Sequence, residues 1–156
     1  MSEGPEKTET MQVHGTAVAL DGCGILLCGP SGAGKSDLAL RLLDRGARLI
    51  ADDRCDLRRS GGRLLASAPA AIAGRMEVRG LGIVEVPVLD EAALDLAVDL
   101  VPPDAVPRLP EPAFRTFLGL RLPLLRLAPF EASTPAKLVL ATAPGGPVLD
   151  GRDGGQ

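Results

Sequence analysis

The apolar positions change period twice between residues 24 and 51. Gly24-Ile25-Leu26-Leu27-Cys28 is a continuous apolar run of strand length, whereas Asp37-Leu38-Ala39-Leu40-Arg41-Leu42-Leu43 spaces its apolar residues as a helix does. Arg48-Leu49-Ile50-Ala51 returns to a short buried strand, ending at Asp52-Asp53. The pattern predicts a helix from Lys35 to about Arg45, with Gly46 as its C-terminal stop. The interval from Lys35 to the acidic pair holds one helix and a tight return. A βαβ unit is therefore expected, with Asp52 and Asp53 at the carboxyl end of a strand, on the side of the loop that precedes the helix.

The same reading places a first strand over residues 16–20, a turn at Asp21-Gly22, and a hairpin of residues 55–59 and 63–67 around Ser60-Gly61-Gly62. A strand is expected over 83–86. Leu94, Leu96, Val98 and Leu100 alternate with Asp95, Ala97 and Asp99, which predicts a strand with one wet face although Leu and Ala favour helix. Prolines 102, 103, 107, 110 and 112 predict an irregular connection. Residues 120–127 read as an edge-type strand carrying Pro123. Ser133-Thr134-Pro135 reads as a helix start running into Leu138-Val139-Leu140. Residues 1–11 read as a disordered leader, 12–143 as one domain and 144–156 as a flexible tail, with no internal repeat. The expected fold class is α/β: a mixed β-sheet containing a phosphate-binding loop, with flanking helices.

Composition narrows the function classes. The 156 residues suffice for one domain with a real core; 46% are apolar, but Trp and Tyr are absent and Phe occurs three times, so Leu, Val, Ile and Ala must fill it. Few aromatics and a net charge of −3 argue against nucleic acid as a partner. Cys23, Cys28 and Cys55 lack metal-ligand spacing and suggest no disulfide framework; Cys28 suits a small buried apolar position. No run approaches the ~18 apolar residues of a membrane span, and the polar, acidic start has no signal-peptide pattern. The expectation is a soluble protein of the reducing cytoplasm, without membrane contact.

The candidate chemistry lies between the first run and the helix. Gly29-Pro30-Ser31-Gly32-Ala33-Gly34-Lys35-Ser36 matches the phosphate-loop pattern G-x-x-x-x-G-K-S at every position. Glycines let backbone N–H groups turn inward around phosphate oxygens, and the helix N-terminus adds partial positive charge. Lys35 can reach the β- and γ-phosphates of a bound nucleotide, and the Ser36 hydroxyl can ligate Mg²⁺. Phosphoryl transfer also needs a group that takes or orients the nucleophile's proton, for which Asp52 and Asp53 are the candidates. Neighbours on a strand point opposite ways, so the two are not expected to share a role. Two glycines bracket Leu81 in Glu77-Val78-Arg79-Gly80-Leu81-Gly82, which suggests a tight backbone beside something that approaches closely. Glu77 could give the metal an oxygen and Arg79 could meet a phosphate; a salt-bridged turn is the plainer alternative. His14 is the sole histidine, and such residues are more often structural than catalytic.

Taken together, Val13-His14-Gly15-Thr16, the loop through Asp37, Arg48 to Asp53 and Glu77 to Val86 resemble, in order and spacing, the catalytic domain of HPr kinase/phosphorylase. That family consists of bacterial serine kinases of the phosphotransferase system, with a fold related to phosphoenolpyruvate carboxykinase. The resemblance covers most of residues 12–100. It implies an ATP- and Mg²⁺-dependent kinase acting on an HPr-like phosphocarrier protein. Asp53 would be the base, and in the reverse direction the acid; Lys35 would stabilise the transferring phosphoryl group. Ser36 and Glu77 would hold Mg²⁺, and His14 would sit beside Asp53. Arg108, in Arg108-Leu109-Pro110, stands roughly where the family has another catalytic arginine.

The chain also departs from the longer family members. Those carry an N-terminal regulatory domain, whereas this chain begins almost at the catalytic one. They also carry an arginine-rich segment after the last strand, where Leu127-Ala128-Pro129-Phe130-Glu131-Ala132-Ser133 stands here. Such compact forms resemble those of alphaproteobacteria. Kinase activity is expected more firmly than phosphorolysis with inorganic phosphate, and a homo-oligomer is open without the longer enzymes' hexamer being carried over. Two other readings compete: a guanylate-kinase-like small-molecule kinase, disfavoured by the absent Tyr and the early acidic pair, and a nucleotide-binding sensor without transfer.

Overall fold

The alternation of short apolar runs with glycine turns gives a fold dominated by strands. The computed structural model describes residues 9–147. In chain order these form β1 (Thr10–Leu20), β2 (Cys23–Cys28), α1 (Lys35–Leu43), β3 (Arg48–Ala51), β4 (Arg54–Ser60), β5 (Arg63–Ser67), β6 (Arg75–Val78), β7 (Gly82–Glu85), β8 (Glu91–Leu100), β9 (Phe114–Phe117), β10 (Leu120–Leu127) and α2 (Thr134–Thr142).

Two long strands organise the sheet, because each pairs with different neighbours along its length. The first half of β1 pairs antiparallel with β4, from Thr10 opposite Arg58 to His14 opposite Arg54. Its second half pairs antiparallel with both β2 and β3. β8 pairs with β5 through residues 91–93, then runs parallel to β2 and to β10. Since β2 and β3 are both antiparallel to β1, they are parallel to each other with β1 between them. The expected βαβ unit is thus present, with an inserted strand. β6 and β7 form a separate two-stranded hairpin.

Alternation along these strands feeds two cores. One lies between sheet and helices: Val18, Leu20, Ile25, Leu27, Leu96 and Val98 pack against Leu38, Ala39 and Leu42 of α1 and Leu138 of α2. The other lies between strands alone, from Ala17, Leu26, Ile50, Cys55, Leu57, Leu64, Ala97, Phe117 and Leu124. The aliphatic filling follows from the composition. Helix α1 ends as expected: Gly46, with φ 98°, and Ala47 donate to the carbonyls of Leu43 and Leu42.

Several expectations are corrected. β8 has no wet face, because helices cover one side of it and strands the other, and Leu94 through Val98 are all buried. Its acids are satisfied inside the protein instead: the Gly24 N–H donates to Asp95 at 3.1 Å, and Arg115 on β9 grips Asp99 with two bonds of 2.6 and 2.8 Å. β10 is interior in strand order, with β9 outside it. Each half nonetheless has one partner, 120–123 on β9 and 124–127 on β8, so Pro123 sits where a missing N–H is tolerated. β1 starts at Thr10, inside the expected leader: Thr10-Met11-Gln12-Val13-His14 alternates polar and apolar residues, and β4 supplies the pairing for it. Residues 1–8 of that leader and 148–156 of the expected tail lie outside the described residues.

Gly24 marks the tightest approach in the sheet. A Cβ there would lie 2.0 Å from the Ala93 carbonyl oxygen, which is backbone and cannot step aside. Gly24→Ala should therefore cost at least about 1–3 kcal/mol, read as a lower urea midpoint. An unchanged midpoint would show that β2 and β8 do not meet this closely.

Candidate active site

The end of β2, the start of α1 and the end of β3 converge on one edge of the sheet. Gly34 caps α1 with φ 102° and ψ 14°, a left-handed conformation that turns the loop into the helix. The loop closes on itself through the Ala33 N–H and the Pro30 carbonyl at 3.0 Å. Asp37 in the first turn of α1 complements the helix dipole and pairs with Arg41 at 3.0 Å. Beside the loop lies a hollow of about 450 Å³, lined by Ser31, Gly32, Gly34, Lys35 and Ser36 together with Asp52, Asp53, Glu77, Arg79 and Phe130.

Asp52 is the anchor of this hollow. Only 8% exposed, it accepts bonds from the hydroxyls of Ser36 at 2.6 Å and Thr16 at 3.2 Å, and from the Glu77 backbone N–H at 3.3 Å. One carboxylate thereby ties the phosphate loop to β1 and to the β6–β7 hairpin. Thr16 is fully buried and also accepts from the Asp53 N–H at 3.1 Å. The Gly15 N–H in turn donates to the Asp53 carbonyl at 2.9 Å. Asp53 itself is exposed and has φ 68°. That left-handed backbone breaks the strand alternation, so both carboxylates line the same hollow and the expectation of opposite directions is corrected. Their environments still differ: Asp52 is buried and fully bonded, while Asp53 faces the opening.

Lys35 is 5% exposed and donates to the carbonyls of Gly29 at 2.7 Å and Pro30 at 3.1 Å. It has no carboxylate partner among the described residues. An ammonium carries three donors, so one remains for an anion. The Ser36 hydroxyl proton is committed to Asp52, which leaves the oxygen's lone pairs for a cation. Among the described residues no group of three or more His, Cys, Asp or Glu could hold a metal alone. The donor set therefore suits an ion such as Mg²⁺, which takes one or two protein oxygens and completes its shell from phosphates and water.

The remaining candidates divide. Glu77 and Arg79 line the hollow, and neither has an ion pair to another described residue, so the salt-bridged turn is not what holds them. His14 and Arg108 are both exposed and are not among the hollow's lining residues. His14 stands opposite Arg54 in the β1–β4 pairing, and Arg108 lies in the proline-rich connection. Burial pushes the Cys28 thiol up, against the opposing effect of Arg115, so this residue beside the loop is no thiolate nucleophile. Thr16 stands in a segment that carries the resemblance but has no role from sequence, and Phe130 has none either. A threonine opening the apolar run of β1 was the available signal for the first; Phe130 had none.

The chain's similarities bear on this edge directly. Residues 6–108 match the family model described as HPr Serine kinase C-terminal domain. The chain belongs to this family. HPr kinase/phosphorylase of Clostridium tetani is 50% identical over 78 residues, covering 50% of this chain and 26% of the relative. The Exiguobacterium sibiricum HPr kinase/phosphorylase is 44% identical over 82 residues, covering 52% and 26%. The matched segment thus spans about a quarter of these curated relatives. A solved structure of the HPr(Ser) kinase/phosphatase from Coxiella burnetii superimposes with a TM-score of 0.72 at 30% identity, covering 82% of this chain and 91% of that one. The mixed sheet with its two helices is therefore this family's fold. No helix among the described residues is long and apolar enough to cross a membrane.

Proposed function

We propose that this chain is a protein serine kinase that transfers the γ-phosphoryl group of ATP to a serine of an HPr-type phosphocarrier protein in the cytoplasm. The observation that carries the reading is the Ser36–Asp52–Thr16–Asp53 chain of bonds, which holds two carboxylates beside a phosphate loop whose lysine has no carboxylate partner among the described residues. Family membership supplies the protein substrate, since the relatives are named for HPr.

In this reading the N–H groups of the Gly29–Ser36 loop, apart from Pro30, which has none, and Ala33, whose N–H bonds the Pro30 carbonyl, join the Lys35 ammonium in binding the phosphates and offset charge as it shifts in the transition state. Ser36 and Glu77 supply oxygens to Mg²⁺, while Asp52 orients the Ser36 hydroxyl. Bound Mg²⁺ would neutralise phosphate charge. Asp53, at the opening, takes the proton from the incoming serine hydroxyl as that oxygen bonds to phosphorus and the bond to the leaving diphosphate breaks. His14 and Arg108 lie outside the hollow and take no step in this reading. Phosphorolysis by inorganic phosphate rests on the relatives' names alone.

Incubating the full chain with γ-³²P-ATP, Mg²⁺ and purified HPr tests the proposal. Label on an HPr serine is expected. Label on a nucleoside monophosphate instead would make this a small-molecule kinase, and nucleotide binding without transfer would make it a sensor.

A further inference from the structure

We infer that Phe130 is the nucleobase platform of the site, its ring stacking on the base of the nucleotide while Leu40 lines the same wall; this rests on the nucleotide-binding reading above. Phe130 is the single aromatic among the described residues that line the hollow, and the residue is 67% exposed. A lone exposed apolar side chain is ordinary in itself. This one is set apart by where it stands and by how firmly its backbone is held.

Its ring lies against the phosphate loop. A Cβ on Gly34 would be 2.8 Å from the ring's Cζ and 2.9 Å from Cβ of Pro129, so the last loop glycine before Lys35 is also the residue that lets the aromatic come this near. The backbone on either side is clasped by Arg41 of α1, whose guanidinium donates to the carbonyl of Pro129 and, at 3.2 Å, to that of Glu131. Glu131 is further tied by its carbonyl to the Thr134 N–H at 3.2 Å and by its carboxylate to Lys137 at 3.1 Å. The ring is thus presented at the rim by backbone fixed on both sides. Leu40, one and a half turns into α1, adds apolar surface that is 37% exposed.

Chemistry selects the ligand part. Apart from Leu40, the largely buried Val78 and two glycines, the other lining residues are polar or charged, which suits phosphates and a metal but offers a flat heterocycle no aromatic face. A nucleotide whose phosphates occupy the loop must leave it over the rim, and an aromatic face there offers stacking worth about five- to 150-fold in affinity for a base. Stacking accepts any base, so the platform predicts tolerance among purine nucleotides rather than strict choice of one.

Calorimetric titration of wild type, Phe130→Ala and Phe130→Trp with ATP and with inorganic tripolyphosphate, which has phosphates but no base, separates the roles. Phe130→Ala should weaken ATP about tenfold and leave tripolyphosphate within twofold, while Phe130→Trp should stay within about threefold of wild type for both. Unchanged ATP affinity in Phe130→Ala overturns the inference, and if HPr binding is what that variant loses, the ring belongs to a protein-docking surface. Equal loss of both ligands also overturns it, because the ring would then be shaping the loop. If wild type binds tripolyphosphate as tightly as ATP, the base has no platform; if it binds neither, the nucleotide site itself is wrong.

Discussion

Asp53→Asn is expected to abolish phosphoryl transfer, lowering it by about 10²–10⁴-fold, while ATP affinity stays within a few fold. The substitution removes the proton acceptor and little else. Asn tolerates the left-handed backbone at φ 68° at least as well as Asp, and the bonds that fix this residue run through its backbone N–H and carbonyl. The side chain faces the opening, so no buried partner is left unsatisfied. Single-turnover transfer to HPr, paired with a nucleotide titration, provides the check. A variant that retains near-normal transfer would remove Asp53 from the base role.

Asp52→Asn should behave quite differently, although the residue is its neighbour. Asp52 accepts from three donors: two hydroxyls and one backbone N–H. An amide keeps one oxygen and turns an NH₂ group towards donors on its other side. With the oxygen kept towards the Glu77 N–H, the NH₂ group faces both hydroxyls, and the fully buried Thr16 hydroxyl loses the acceptor for its own proton. Leaving a buried donor unmet costs about 1–3 kcal/mol of stability. The Ser36 hydroxyl also loses the anion that orients it, so Mg²⁺ dependence should weaken by about 10–100-fold. Urea unfolding and a Mg²⁺ titration of transfer read the two effects. Loss at Asp52 in both assays, against loss at Asp53 in transfer alone, is the signature that separates the anchor from the base. Wild-type behaviour in both assays would mean that Asp52 neither anchors the loop nor serves the metal.

The phosphate loop and its helix were legible because their determinants are local. Glycines at residues 29, 32 and 34, a run of strand length before them and helical spacing after them all act within about twenty residues. The same holds for the hairpin around Gly61-Gly62 and for the boundaries of β3 and β10. What escaped depends on partners distant in sequence. The first half of β1 carries only two apolar residues, Met11 and Val13, and is a strand because β4 pairs with it. β6 is short, and its Met76 and Val78 are buried only because the helix-side core receives them. The wet face assigned to β8 assumed that an acid on a strand meets water, whereas Asp95 and Asp99 meet an amide and a guanidinium. At the site, the sequence placed Asp52 beside Asp53 but could not rank them. Strand alternation sends neighbours to opposite sides, and a backbone reversal at Asp53 overrode it. Phe130 reached the rim through Arg41, 89 positions away in the chain by subtraction of their numbers.

β1 stands between β2 and β3 and is hydrogen-bonded to both. The strand that delivers the glycine loop and the strand that delivers the two acids therefore share a single spacer, with Thr16 embedded in it at the level of the chemistry. Their separation is a matter of lattice spacing in the sheet, not of how bulky the interior side chains happen to be. Drift in the greasy layers above and below can thus proceed through many generations of exchange without detuning the reaction's geometry, provided that one backbone rail stays straight.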